Sequence, residues 1–164
     1  MSTAHTDHGF PQRIGYEYDH VQRAPLYWLL MAPGIAILGF VVIGWIHHDA
    51  ATFLCLGLLL TAIALSFRWL RVRDEGEYLA LRYGPLPIFR KRFRYADIAE
   101  ANIDRTSFAD GWGIHWVPGR GWTYNLWGFD CVRLTLRNGR TARIGTDEPE
   151  ELVAFLEARL DESS

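Results

Sequence analysis

Residues 132–156 read VRLTLRNGRTARIGTDEPEELVAFL, and the fold is worked outward from them. Val132, Leu134 and Leu136 alternate with Arg133 and Thr135, the period of a strand with one apolar face. Asn138-Gly139 turns the chain, and Ala142 and Ile144 resume the alternation. A two-residue loop would set Leu134 against Arg143 and spoil the apolar face. A three-residue loop, Arg137-Asn138-Gly139 with a bulge at the glycine, pairs Leu134 with Ala142 and Val132 with Ile144. Face matching therefore selects the bulged turn. It also sets Arg133 opposite Arg143, where like charges repel unless an anion or carboxylate lies nearby. Beyond the hairpin, Asp147 and Glu150 have the spacing of an N-cap and its return partner, and Pro149 suits a first helical turn. Leu152, Phe155, Leu156 and Leu160 then make the apolar stripe of a closing helix.

Upstream, Glu77 to Tyr83 alternates and ends in Gly84-Pro85, a strand followed by a turn. From Phe89 to Tyr95, Phe89, Lys91, Phe93 and Tyr95 share one face, and Arg90, Arg92 and Arg94 share the other. Ile98 to Ile103 reads as a further strand, with short strands around Ile114-Trp116 and Trp122-Asn125. Residues 74–162 thus form one candidate domain of six or seven antiparallel strands and a C-terminal helix. That order predicts an α+β domain: a small barrel or bent sheet with one end closed by the helix.

Leu26 to Ile46 is 21 residues without a charged side chain, and Ala50 to Phe67 adds another 18. A helix needs about 20 apolar residues to cross a bilayer, with roughly 17 as the lower limit. The break His47-His48-Asp49 is only long enough for a tight turn, so residues 26–70 predict a two-helix transmembrane α-hairpin. Tyr27, Trp28, Trp45 and Trp69 stand where interfacial aromatics would. Ala32 with Ala36, and Ala62 with Ser66, would let the two backbones pack closely. Arg13 and Arg23 precede the pair, while Arg68, Arg71 and Arg73 follow it. The arginine bias puts both termini in the cytoplasm and the protein in the cell (inner) membrane, as a multi-pass protein. Residues 1–25 read as a polar cytoplasmic arm whose His5, His8 and His20 are spaced too irregularly for a metal site. Cys55 falls within a span and Cys131 in the domain, so the two cannot pair.

Two membrane helices, a domain opening RVRDEGEYLALRYGPLP, the basic strand FRKRFRYADI, and the closing hairpin and helix together resemble the bacterial PH-like (pleckstrin-homology-like) membrane proteins. The resemblance covers about residues 68–160 and implies a PH-like barrel with no enzymatic residues to carry over.

A formal net charge of −2 gives no global pull toward nucleic acid, and 49% apolar residues exclude a disordered chain. Phosphate-binding loops, nucleophile elbows, zinc-protease helices and paired Cys-x-x-Cys motifs are all missing from the sequence. From residue 74 onward there is one histidine, His115, and one cysteine, Cys131. An enzyme would have to use His115 with Asp110 or Asp130, so a small hydrolase-like membrane enzyme is the alternative reading. No cofactor, metal or catalytic group is expected. The stronger lead is charge. Arg68 to Arg94 carries eight basic residues against three acidic ones, and basic clusters near a bilayer attract anionic headgroups. Arg71, Arg73, Arg90, Arg92 and Arg94 are the candidate lipid-binding residues. Trp112, Trp116, Trp122 and Trp127 lie close together in the chain, and those left outside the core mark a protein-binding surface. The expected function is a non-enzymatic, membrane-anchored binding or scaffolding module. Its expected partners are an anionic phospholipid bilayer, a protein partner and, through self-association, a homo-oligomer, but not nucleic acid.

Overall fold

The computed structural model describes residues 17–45, 48–107 and 110–162. The chain order is β1 (Asp19–Arg23), α1 (Leu26–Val42), α2 (Ala50–Ser66), β2 (Trp69–Asp74), β3 (Tyr78–Gly84), β4 (Arg90–Arg94), a 3-10 turn at Tyr95–Asp97, β5 (Ile98–Arg105), β6 (Gly113–Val117), β7 (Gly121–Asn125), β8 (Asp130–Leu136), β9 (Thr141–Gly145) and α3 (Pro149–Asp161). Sheet A has the order β1-β2-β3-β4, and sheet B the order β5-β8-β9-β7-β6. Sheet A is antiparallel throughout, whereas β7 and β9 of sheet B run parallel.

The β8–β9 hairpin has the register that face matching selects. Val132 pairs with Ile144, Leu134 with Ala142, and Arg133 with Arg143. Gly139 takes φ +78, the left-handed conformation that the bulged loop requires. Leu134, Ala142, Val132 and Ile144 are buried against Leu70, Leu79, Leu81 and Phe93 of sheet A and Leu152 and Leu156 of α3, forming one core. The α3 stripe is as read, but its cap is not. Glu148 occupies the N-cap without a side-chain cap, and Thr146 Oγ1 accepts from the Glu148 N–H at 3.1 Å.

Other expectations are corrected. The transmembrane hairpin is one: α1 and α2 are 17 residues each, about 26 Å at 1.5 Å per residue. Among the described residues, no helix is long and apolar enough to cross a membrane. The apolar run outlasts α1 because the chain leaves the helix before the run ends. Gly44 adopts φ +77, its N–H reaches the Val41 carbonyl, and the Trp45 N–H reaches the Phe40 carbonyl. Phe40 and Trp45 stack at 5.5 Å over this closed turn, the hydrophobic contact of a Schellman stop. At the other end Phe67 leaves α2 and packs on Tyr83 and Phe89 of the sheet domain. The multi-pass inner-membrane placement, with its assignment of the termini, falls with the spanning helices. Ala32 and Ala36 are exposed. Close approach of α1 and α2 comes instead at Gly34 and Gly57, where a Cβ would lie 2.6 Å from Thr61 Oγ1 and 2.8 Å from Leu38. Trp69 is no interfacial anchor: it lies across Gly84, its partner in β3.

The single PH-like barrel or bent sheet is also replaced, by nine strands in two sheets among the described residues. Only the sheet with its C-terminal helix matches the expected class. The polar arm loses its last residues to β1, which pairs with β2 along Asp19–Arg23. His20 joins that strand to the start of α3, with Nε2 2.6 Å from Asp147 and Nδ1 2.9 Å from Glu148. Arg13, His5, His8 and His47 lie outside the described residues.

Candidate functional site

Register gathers the arginines of sheet A on its outer face. Arg71 stands opposite Arg82, and Arg82 opposite Arg90, making one row across β2, β3 and β4. Arg73, Ala80 and Arg92 make the next row, and Arg94 faces Tyr78 beyond it. Period-2 alternation sends Leu79, Leu81 and Phe93 to the core from the same strands. The expected split of Phe89–Tyr95 therefore holds, and Lys91 leaves its ammonium 5.5 Å from the Phe93 ring.

The five candidate arginines are not equivalent. Arg71 grips Asp19 with Nε at 2.7 Å and with a second, very short contact through Nη2. That fork holds the Asp19 carboxyl below the usual carboxylate range. Arg73 bonds Glu17 at 2.6 Å, and Arg92 shares Glu75, at 2.7 Å, with Arg82. Arg90 and Arg94 are exposed and have no ion pair among the described residues. The end of sheet A that carries Arg90 is also where the helical hairpin departs. The Arg68 N–H donates to the Gly84 carbonyl there, and Leu86 and Ile88 are exposed in the β3–β4 turn. The hairpin itself exposes Leu29, Val42 and Trp45 at 71, 83 and 74%. Such apolar area is far beyond scattered surface residues.

The four tryptophans form two pairs. Trp116 and Trp122 face each other across β6–β7 and are exposed at 58 and 49%. Trp112 and Trp127 stack at 4.8 Å at the other end of that hairpin, about 13 Å away along the strand. Strand β6 is an edge of sheet B, which leaves Trp116 at a free margin.

The His115 constellation is not assembled. Asp110 accepts from the Ser107 N–H at 2.7 Å and pairs with Arg120 at 2.7 Å. The Ser107 N–H, with Arg120 beside it, holds this carboxyl low. Asp130 pairs with Arg105 at 3.0 Å. No hydrogen bond joins either carboxylate to His115 among the described residues, and His115 Nε2 is buried without a partner. Burial pushes the Cys131 thiol up to about 12, which leaves it protonated and a poor nucleophile at neutral pH. Among the described residues no group of His, Cys, Asp and Glu could hold a metal ion. A cleft of about 820 Å³ that the sequence did not suggest opens between α3 and the β2–β3 turn, over Phe155 and Ala158. Its Asp74 is already bonded to Tyr95 Oη at 3.0 Å and to the Gly76 N–H at 2.8 Å.

The chain matches no protein-family model, and no curated protein matches it. The resemblance to PH-like membrane proteins is therefore not upheld by either the fold or the comparisons.

Proposed function

We propose that the protein is a non-enzymatic binding module that recognises an anionic phospholipid surface through the outer face of sheet A. The observation that carries this reading is the arginine row Arg71–Arg82–Arg90 with the unpaired Arg90 and Arg94 at its margin. Among the described residues, Glu17, Asp19 and Glu75 are the carboxylates paired to that face, fewer than its arginines. Exposed guanidiniums gain about 1 kcal/mol each near an anionic headgroup layer, and they bond phosphate through two nitrogens at once. The exposed apolar flank of the hairpin leaves the same end of the sheet, which would add apolar contact to such a surface.

The test is flotation of the full chain with neutral and with anionic phosphatidylserine vesicles. Salt-sensitive binding to anionic vesicles, lost in R90Q/R92Q/R94Q, supports the reading; equal binding to neutral vesicles, or none, rejects it. A second reading, a protein partner docked on Trp116 and Trp122, is favoured by the exposure of that pair on an edge strand.

A further inference from the structure

Sheet A steps along the strands of sheet B and stops short of their end. Strand β1 lies at one end of β7 and β9: Gln22 Nε2 donates to the Trp127 carbonyl at 3.2 Å, and His20 meets Asp147 at 2.6 Å. Strand β4, at the opposite edge of sheet A, sets Phe93 against Tyr124 at 5.8 Å. The turn that follows β4 accepts the Arg137 N–H on its Asp97 carbonyl at 2.9 Å, at the far end of β8. Beyond Tyr124, the next residue of β7 on the same face is Trp122, with its ring 6.3 Å away, and Trp116 stands opposite it on β6. Trp122 pairs onward with Ala142, and Ala142 with Leu134, both buried in the core. The tryptophan pair therefore belongs to the core face of sheet B. Both rings are exposed because, among the described residues, sheet A has no fifth strand to lie over them.

The edge that such a strand would join is open. The Tyr83 N–H donates to the Phe89 carbonyl, and the Tyr95 N–H to the Glu77 carbonyl. Odd-numbered residues of β4 thus bond to β3, and alternation turns the N–H and C=O groups of Arg90, Arg92 and Arg94 toward the free edge. Those three side chains occupy the outer face, and Lys91 the inner one. A second copy of β4 would meet this edge with like charge against like charge, which opposes self-pairing. A strand with carboxylates on its outer face and apolar side chains on its inner face fits instead. The carboxylates would stand opposite Arg90 and Arg94, which have no ion pair among the described residues. The apolar side chains would cover Trp116 and Trp122, while the main chain bonds to the β4 edge.

We infer that β4 and the Trp116–Trp122 pair form a docking site for an extended segment of a partner protein, alternating acidic and apolar residues, which adds a fifth strand to sheet A. This rests on the second reading above, a protein partner on that tryptophan pair, and names the partner's chemistry. The test titrates the full chain with a peptide of alternating glutamate and valine that spans the five residues of β4 with one to spare at each end. The control is the same composition arranged as a glutamate block and a valine block. Binding is followed by calorimetry and by the β4 backbone amides in NMR. The alternating peptide should bind and shift the Arg90, Arg92 and Arg94 amides, with the block peptide at least about tenfold weaker. R92P removes one edge N–H and leaves the β3 ladder intact, so it should weaken binding about tenfold. R92A keeps that N–H and should lose only about threefold. W116A/W122A should lose at least about tenfold, and it carries the test if R92P fails to fold. Neither R92P nor W116A/W122A should abolish binding to phosphatidylserine vesicles, since Arg90 and Arg94 remain. No binding of the alternating peptide, or equal binding of the block peptide, overturns the inference. Loss in W116A/W122A with folded R92P unaffected overturns strand addition and leaves a partner on the tryptophan pair standing; loss in neither overturns both. A tryptophan variant that loses vesicles but keeps the peptide assigns the pair to the lipid surface and also overturns it.

Discussion

Arg143 shows how a strand residue facing away from the core can still be buried. Its guanidinium meets Asp104 at 2.9 Å with 7% of its side chain exposed. Removing one partner of a buried pair strands the other charge, which costs about 3–5 kcal/mol. Asp104→Ala should lower unfolding stability by that order in chemical denaturation, and the double variant Asp104→Leu/Arg143→Met should recover most of it. The sequence showed that Arg133 and Arg143 would face each other and repel unless an anion or carboxylate lay nearby. It did not show that Asp104 supplies it to only one of them, because that contact crosses from β5 to β9. A second prediction separates the two cysteines. Cys131 is buried with its thiol pushed up to about 12, whereas Cys55 is exposed. Native protein at pH 8 should therefore take up one equivalent of iodoacetamide, at Cys55, and two in denaturant; fast native labelling of Cys131 would contradict its burial.

Among the elements, legibility tracked the range of the interaction that defines each one. The β8–β9 register was readable because turn and partner strands lie within about a dozen residues, and one residue of slip would turn Leu134 and Ala142 outward. Gly139→Ala would place a Cβ in the left-handed region, so it should cost about 1–2 kcal/mol in the denaturation midpoint without changing ligand binding. Strand β1 escaped notice: DHVQR has a single aliphatic residue, and its partner β2 comes only after the whole helical hairpin. The parallel β7–β9 pair was hidden for the same reason. Helix length was misread because apolarity alone does not say where a helix stops. Gly44 and the Phe40–Trp45 stack do, by satisfying the last carbonyls of α1 locally.

At the scale of the whole molecule, the two sheets divide the charge chemistry between them: exposed arginines on the outer face of sheet A, and on sheet B a buried Arg143 paired with Asp104. Exposed basic side chains were legible from the alternation of Phe89–Tyr95. Which of them stay free of carboxylates was not, since Asp19 and Glu17 reach Arg71 and Arg73 only through the β1–β2 pairing. These carboxylates also set the acid response. Asp19 and Asp110 titrate below their ordinary values in the folded chain. Their contribution is therefore present above the unfolded carboxylate range, near pH 4, and is lost as the pH falls through that range toward the folded values. The thermal midpoint should hold between pH 7 and 5 and drop below about 4, with a shallower drop in Asp19→Asn. The claim about sheet A is tested most directly by partitioning of the full chain onto vesicles of increasing phosphatidylserine content at low and high salt. Wild type should bind in proportion to the anionic fraction, and R90Q/R94Q should partition about thirtyfold more weakly at low salt. Binding that ignores the anionic fraction, or that survives loss of both arginines unchanged, would contradict the account.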